Sequence, residues 1–164
     1  MTRCDFCAFR CSIEPGGVGT CGVRSNHNGE ICTDVWGEVV AEAVDPVEKK
    51  PLYHFLPGTR TFSIALFGCN FRCSFCQNAS IAHPEFRAGR VVERVTPGEM
   101  VRRWERSGTP SISFTYGEPA VWQDYLIEVA SGVRSRGGKT IMVSNGFYSE
   151  AATERLAGVI DAFN

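Results

Sequence analysis

Apolar and polar positions change rhythm twice along this 164-residue chain. From Met1 to about residue 28 no period emerges. Cysteine and glycine punctuate a stretch that cannot build a hydrophobic core, so a metal or neighbouring structure must order it. From 30 to 44 the period is two: Ile31, Thr33 and Val35 alternate with Cys32 and Asp34, and Val39, Ala41 and Ala43 with Val40 and Glu42. With Gly37 at the turn, these runs predict a β-hairpin whose second strand Asp45-Pro46 ends. Residues 46–60 follow as a Pro-rich, aromatic connector.

Beyond residue 60 apolar runs alternate with helical patterns. Phe62 to Phe67 is a β-rich run. Thr96, Pro97 and Glu99 form a capping-box start for a helix whose apolar face is Met100, Val101 and Trp104, closed by Gly108. Ser111–Thr115 is the next strand. Residues 122–136 predict a second helix with Leu126, Val129, Ala130 and Val133 on one face. Thr140–Val143 is a third strand, Ser149 caps a third helix closed by Gly158, and Val159–Phe163 is a fourth strand. This order predicts an α/β fold with a parallel sheet and right-handed crossovers. The division is a Cys-rich segment with hairpin and connector over 1–60 and the α/β core over 61–164.

Charge changes this picture little. A formal net charge of −1 gives no electrostatic reason to expect nucleic acid or an anionic membrane as partner. No apolar run approaches the roughly 18 residues of a membrane span. The start carries no apolar signal region, which points to the cytoplasm, where thiols stay reduced.

Cysteine changes it a great deal. Seven of the eight fall in two groups: Cys4, Cys7, Cys11 and Cys21, then Cys69, Cys73 and Cys76. Grouped cysteines in a reducing compartment read as metal ligands. Cys32, alone, reads as a small buried thiol. Cys69-x3-Cys73-x2-Cys76 follows the first core strand, so it lies on a loop at that strand's C-terminal end, the edge where α/β folds build sites. Three thiolates on such a loop can converge to hold three irons of a [4Fe-4S] cube, leaving one iron open. The competing reading is a zinc loop with His83 as fourth ligand. The N-terminal four have enough ligands for a closed site, zinc or a second iron–sulfur cluster; a structural role favours zinc. Lys49 and Lys50 read as a solvated face, with ligand contact as the alternative.

Cys-x3-Cys-x-aromatic-Cys after a first strand, with Phe75 in the aromatic position, resembles the signature of the radical S-adenosylmethionine (SAM) superfamily. Tyr116-Gly117-Glu118-Pro119, one β-α unit later, resembles the family's Gly-Gly-Glu-Pro motif, with Tyr116 replacing the first glycine. Val143-Ser144-Asn145-Gly146 is similar to the strand end that contacts SAM in activase-type members. A closer resemblance runs through Cys4-x2-Cys7-x3-Cys11, Gly19-Thr-Cys21-Gly-Val-Arg24, Asp45-Pro-Val-Glu-Lys-Lys-Pro-Leu-Tyr-His-Phe-Leu-Pro-Gly58 and Gly68 to Asn78. These segments are similar to the AmmeMemoRadiSam system radical SAM enzymes, relatives of pyruvate formate-lyase activating enzyme.

The resemblance implies a partial (β/α) barrel of radical SAM type, here carried through about four strands, with the [4Fe-4S] cluster on Cys69, Cys73 and Cys76. SAM would be held by Phe75, Gly117, Glu118, Pro119, Ser144 and Asn145. It implies an oxidoreductase that reductively cleaves SAM to methionine and a 5′-deoxyadenosyl radical, which abstracts hydrogen from a substrate. In activases that substrate is a glycine of a partner enzyme. An electron donor of flavodoxin or ferredoxin type and Memo- or AMMECR-like partners are the expected company. Because the family barrel needs about six β-α units, a continuation beyond Asn164, or a partner completing the sheet, is also expected. The rival reading is a metal-binding interaction module with structural cysteine sites and no catalysis.

Overall fold

The computed structural model describes residues 1–89 and 92–164. The N-terminal segment is ordered by two small antiparallel pairs. Strand β1 (Thr2–Arg3) pairs with β2 (Ser12–Ile13), and β3 (Arg24–His27) with β4 (Glu30–Thr33). The main sheet has five strands in the order β5-β6-β7-β8-β9. Its members are β5 (Val39–Pro46), β6 (Arg60–Leu66), β7 (Ser111–Phe114), β8 (Lys139–Met142) and β9 (Ala162–Phe163). The last four run parallel; β5 is antiparallel to β6 and forms the edge.

The expected hairpin between 30 and 44 is therefore wrong in its partners: its first strand pairs backwards, with β3, and its second forwards, with β6. Two local facts explain this. Asn28 and Gly29 link β3 and β4 with φ of 53° and 100°, the backbone that a two-residue hairpin turn of this hand requires. Gly37 serves another purpose. The backbone of Val95 passes so close that a Cβ on Gly37 would meet the Val95 carbonyl oxygen at 2.7 Å, and Val95 N–H donates to the Gly37 carbonyl at 2.8 Å.

Helix α1 (Ala79–Ala82) is a single turn after β6. Helices α2 (Pro97–Ser107), α3 (Gln123–Arg134) and α4 (Glu150–Ala157) are the crossovers between parallel strands. Their starts follow the sequence signals: Glu99 N–H donates to Thr96 Oγ1 at 3.3 Å and Ala152 N–H to Ser149 Oγ at 3.1 Å. The fourth strand is shorter than its apolar run, because Val159 and Ile160 instead close α4 through N–H bonds to Leu156.

The two faces of the sheet differ in character. Phe62, Ile64, Leu66, Ile112, Phe114 and Met142 join Met100, Val101 and Trp104 of α2 and Leu126, Val129 and Val133 of α3 in one core. By the alternation of strand side chains, Thr61, Ser63, Ser111 and Ser113 belong to the opposite face. They are fully buried too, and Thr61 and Ser113 hydrogen-bond each other at 2.8 Å. Burial on both faces is what a parallel sheet demands; here one face is largely apolar, and the other is lined mostly by small hydroxyl side chains with Ile141 opposite Ser113.

Candidate metal centre

The chain leaves β6 at Phe67 and turns at Gly68 into the cysteine loop. Gly68 is held from two sides: its N–H donates to Ile81 O at 3.3 Å, and its carbonyl accepts Glu118 N–H at 3.0 Å. The second bond ties the cysteine loop to the turn after β7. Gly117 permits this approach, since a Cβ there would stand 3.0 Å from Gly68 O and 3.2 Å from Leu66 O. Parallel neighbours with a right-handed crossover bring their C-terminal ends together, and Gly117, Glu118 and the cysteine loop lie side by side.

Cys69, Cys73 and Cys76 line one open cavity of about 510 Å³ together with Gly117, Glu118, Ser144 and Asn145. Phe71 N–H donates to Cys69 Sγ at 3.3 Å, and Asn145 Nδ2 reaches the same sulfur at 4.0 Å. Burial is the largest influence raising the Cys69 thiol pKa; the Phe71 N–H opposes it, and Glu118, Cys76 and Cys73 add to it. Asn70, 2% exposed, accepts Asn145 Nδ2 at 2.7 Å, while its own amide nitrogen finds no hydrogen-bond partner among the described residues. Asn70 is a site residue the sequence reading did not single out; only its place between Cys69 and Phe71 could have drawn attention to it.

Glu118 is 2% exposed and its carboxylate is fully engaged by the protein. It accepts Ala120 N–H at 3.0 Å, Ser144 Oγ at 2.7 Å and Asn145 N–H at 2.8 Å. Burial raises its pKa, and these bonds pull it back down. Glu118 thus joins the end of β7 to the end of β8, and Ser144 and Asn145 take their places through it. Pro119 is buried at the start of a 3-10 turn leading into α3. Phe75 departs from expectation: it is 85% exposed and stands outside the cavity lining. His83, the candidate fourth zinc ligand, pairs with Glu85 at 3.4 Å and is likewise no part of that lining.

Among the described residues, no three Cys, His, Asp or Glu side chains close around one point at metal-holding separations. The expected convergence of Cys69, Cys73 and Cys76 thus extends to a shared cavity and stops short of a shared vertex. Neutral thiols have no attraction for one another; a cation that deprotonates them draws them in. The donor set fits a cuboidal iron–sulfur cluster: three soft ligands on one loop, N–H groups aimed at Cys69 sulfur, and the neighbouring carboxylate of Glu118 already committed elsewhere.

The N-terminal cysteines lie apart from this cavity. Cys4, Cys7 and Cys21 are buried at 5%, 7% and 6% exposure, and Cys11 is half-buried with Sγ 3.4 Å from Thr20 Oγ1. Cys4 N–H donates to Cys11 O at 2.8 Å, which closes the first two-stranded pair. Burial is the main cause that pushes the Cys4 thiol up to about 11 and raises Cys21; Cys7 and Cys21 add to the first, and Cys7 to the second. Arg24 anchors the segment to the core. It is 1% exposed, donates through Nη1 and Nη2 to Asp124 at 2.8 Å each and through Nε to Val121 O at 2.6 Å, and lies 3.4 Å over the Phe6 ring. Phe9 packs with Phe71 and Phe147 at 6.4 and 5.0 Å between centroids, so the segment also touches the cysteine loop. Cys32 is half-buried on β4 rather than buried.

Lys49 and Lys50 separate. Lys49 is 61% exposed, as a solvated face requires, although its ammonium bonds Asp45 at 2.9 Å. Lys50 is 2% exposed and bonds Asp45 at 2.8 Å, and both lysines line the cavity with Tyr116. The sequence reading of a solvated pair is corrected for Lys50, because Asp45 and the Tyr116 ring give its charge a buried partner.

Comparison with known proteins agrees with this geometry. Residues 63–164 match the family described as the Radical SAM superfamily. The chain belongs to the radical SAM superfamily. An uncharacterized protein of Methanocaldococcus jannaschii is 38% identical over 163 residues, 99% of this chain and 48% of that one. The 7-carboxy-7-deazaguanine synthase of Methanothermobacter thermautotrophicus is 29% identical over 106 residues, 65% of this chain and 40% of the other. A second M. jannaschii protein, provisionally named as a glycyl-radical enzyme activating enzyme, is 28% identical over 93 residues, 57% of this chain and 36% of that one. The chain spans about half the length of the curated relatives it matches, or less. Family membership implies a [4Fe-4S] cluster, SAM and radical chemistry for the core that Cys69, Cys73 and Cys76 open. No described helix is long and apolar enough to cross a membrane.

Proposed function

We propose that this chain carries the cluster- and SAM-binding half of an activase-type radical SAM enzyme of the AmmeMemoRadiSam kind. The observation that carries the proposal is the joint lining of one cavity by three cysteines and the Gly117-Glu118 turn. When bound, the cluster and SAM would supply a 5′-deoxyadenosyl radical by reductive cleavage of the sulfonium. The chain's own residues hold and orient. Cys69, Cys73 and Cys76 are the cluster ligands, Phe71 N–H and Asn145 brace the Cys69 sulfur, and Gly117 with Glu118 offers backbone to the SAM amino group. Glu118 keeps Ser144 and Asn145 at the same lip. Electrons would come from a flavodoxin- or ferredoxin-type donor in the cytoplasm.

For the substrate, a glycine of a partner enzyme is the reading supported by the relative named for glycyl-radical activation, and Memo- or AMMECR-like proteins are further candidate partners. The relative named 7-carboxy-7-deazaguanine synthase supports a second reading, a small-molecule substrate. Cys4, Cys7, Cys11 and Cys21 would hold a second metal, zinc or a second cluster, with zinc favoured because four ligands are enough for a closed structural site. The test is anaerobic reconstitution followed by dithionite reduction. Four irons on the central cysteines, a reduced-state EPR signal that changes on adding SAM, and release of 5′-deoxyadenosine are expected. A protein that takes up iron yet leaves SAM intact and spectroscopically silent would favour the structural module.

A further inference from the structure

We propose that Tyr116, clamped by Asp45 and Lys50, is a positioning residue that holds the Gly117–Glu118 backbone ready for SAM. This rests on the reading of the cavity given above and goes beyond it, because the clamp comes from the antiparallel edge strand β5 and the turn after it rather than from the parallel strands that carry the motifs.

Three observations carry it. First, Tyr116 has φ of +67°, in the left-handed region that a bulky side chain disfavours, and Gly117 N–H bonds back to Thr115 O at 2.9 Å across it. That bond makes Tyr116 the centre of a γ-turn of positive φ, a rare and strained turn that persists only when its surroundings hold it. Second, the side chain is held at its far end. Tyr116 Oη donates to Asp45 Oδ2, and the Lys50 ammonium sits 4.6 Å from the ring centroid. Lys50 donates to the same Asp45 oxygen at 2.8 Å and Lys49 to the other at 2.9 Å, so the carboxylate is fixed by three donors. Third, the turn itself touches the site. Tyr116, Gly117 and Glu118 all line the cavity, and Glu118 N–H bonds Gly68 O beside Cys69.

A glycine at position 116 would adopt this φ without strain but would leave the turn free to move. A tyrosine costs strain and returns rigidity, provided its hydroxyl is anchored. Asp45 sits at the end of β5 and Lys50 just after the following 3-10 turn, Val47–Lys49, so the edge strand and this turn fix a SAM-binding edge some seventy positions away. Fixing that edge before SAM arrives removes an ordering cost from binding.

The experiment measures SAM affinity and cluster content on the anaerobically reconstituted chain, with hydrogen exchange on the metal-free protein as an independent readout. Tyr116→Phe and Asp45→Asn are each expected to weaken SAM binding by about tenfold, the effect of losing one hydrogen bond to a charged group. Iron content should stay at the wild-type level, and exchange should rise at Gly117 and Glu118 but not within β7 or β8. In a Tyr116→Gly background, Asp45→Asn should add no further loss, since the clamp then has nothing to hold. Wild-type SAM affinity in Asp45→Asn, an equal loss in both backgrounds, or exchange that rises across the whole sheet would overturn the positioning role. A wild-type protein that binds its cluster but no SAM would overturn the proposed function, whereas the exchange data would still decide whether the clamp fixes the turn.

Discussion

The two groups of cysteines occupy opposite kinds of ground. Cys4, Cys7 and Cys21 are buried in a segment built from strands of two to four residues, with little regular structure around them. Cys69, Cys73 and Cys76 are half-exposed at the rim of an open cavity, on a loop that follows β6 and is tied to the turn after β7. A metal site that keeps a position open for chemistry needs access and a rigid support; one that only staples the chain needs neither access nor a scaffold, since the metal is the scaffold. The contrast teaches that ligand spacing alone does not tell an open group of cysteines from a buried one, while burial and the neighbouring backbone do.

The sharpest way to break this contrast is to replace Cys69, Cys73 and Cys76 by serine together. SAM cleavage should be abolished and iron should fall, while metal at the N-terminal four and the melting temperature should change little. Loss of all metal from a folded triple variant would show that the N-terminal four hold none. Cys21→Ser should do the reverse, removing the N-terminal metal, lowering the melting temperature and opening residues 1–28 to proteolysis, with the central iron retained.

Next in size is the anchor between the two regions. Asp124→Ala leaves the guanidinium of Arg24 buried without its carboxylate, and should cost about 3 kcal/mol, a fall of roughly 6–12 °C in melting temperature for a chain of this size. An unchanged melting curve would mean that the N-terminal segment rests on the core without supporting it. The smallest expected effect is with pH. Burial and the Asp45 hydrogen bond push the Tyr116 hydroxyl up to about 12. Its protonated form is therefore favoured by the fold, so its contribution is complete below the ordinary tyrosine range near 10 and is lost as pH climbs from there through about 12. Stability of wild type measured across that window should fall more than that of Tyr116→Phe; parallel curves would remove Tyr116 from the account.

Much of the core could be read in the sequence because its signals are local. Thr96 and Ser149 cap their helices where the pattern places them, and the cysteine loop follows its strand. The errors have a common cause in partners distant along the chain. The antiparallel edge β5 pairs with β6 across the connector, which no alternation of residues reveals. Asn28-Gly29 was a readable turn signal, but the clearer alternation after it drew the hairpin one strand too far. Lys50 looked like half of a solvated pair because its burial depends on Asp45 and on Tyr116. Phe75 matched a motif by position, and position says nothing of which way a loop side chain faces.

The Arg24–Asp124 pair also sets an order of events during synthesis. Its members lie 100 positions apart, so the N-terminal segment leaves the ribosome long before its dock exists. At about 5–20 residues per second the delay is on the order of 5–20 s. Through that interval Cys4, Cys7, Cys11 and Cys21 have no core to bury them and are open to whatever reaches thiols first, metal or oxidant. A segment made early thus settles only after residue 124 has followed it, and its cysteines meet the cell's metal supply before they meet the core that Arg24 docks on.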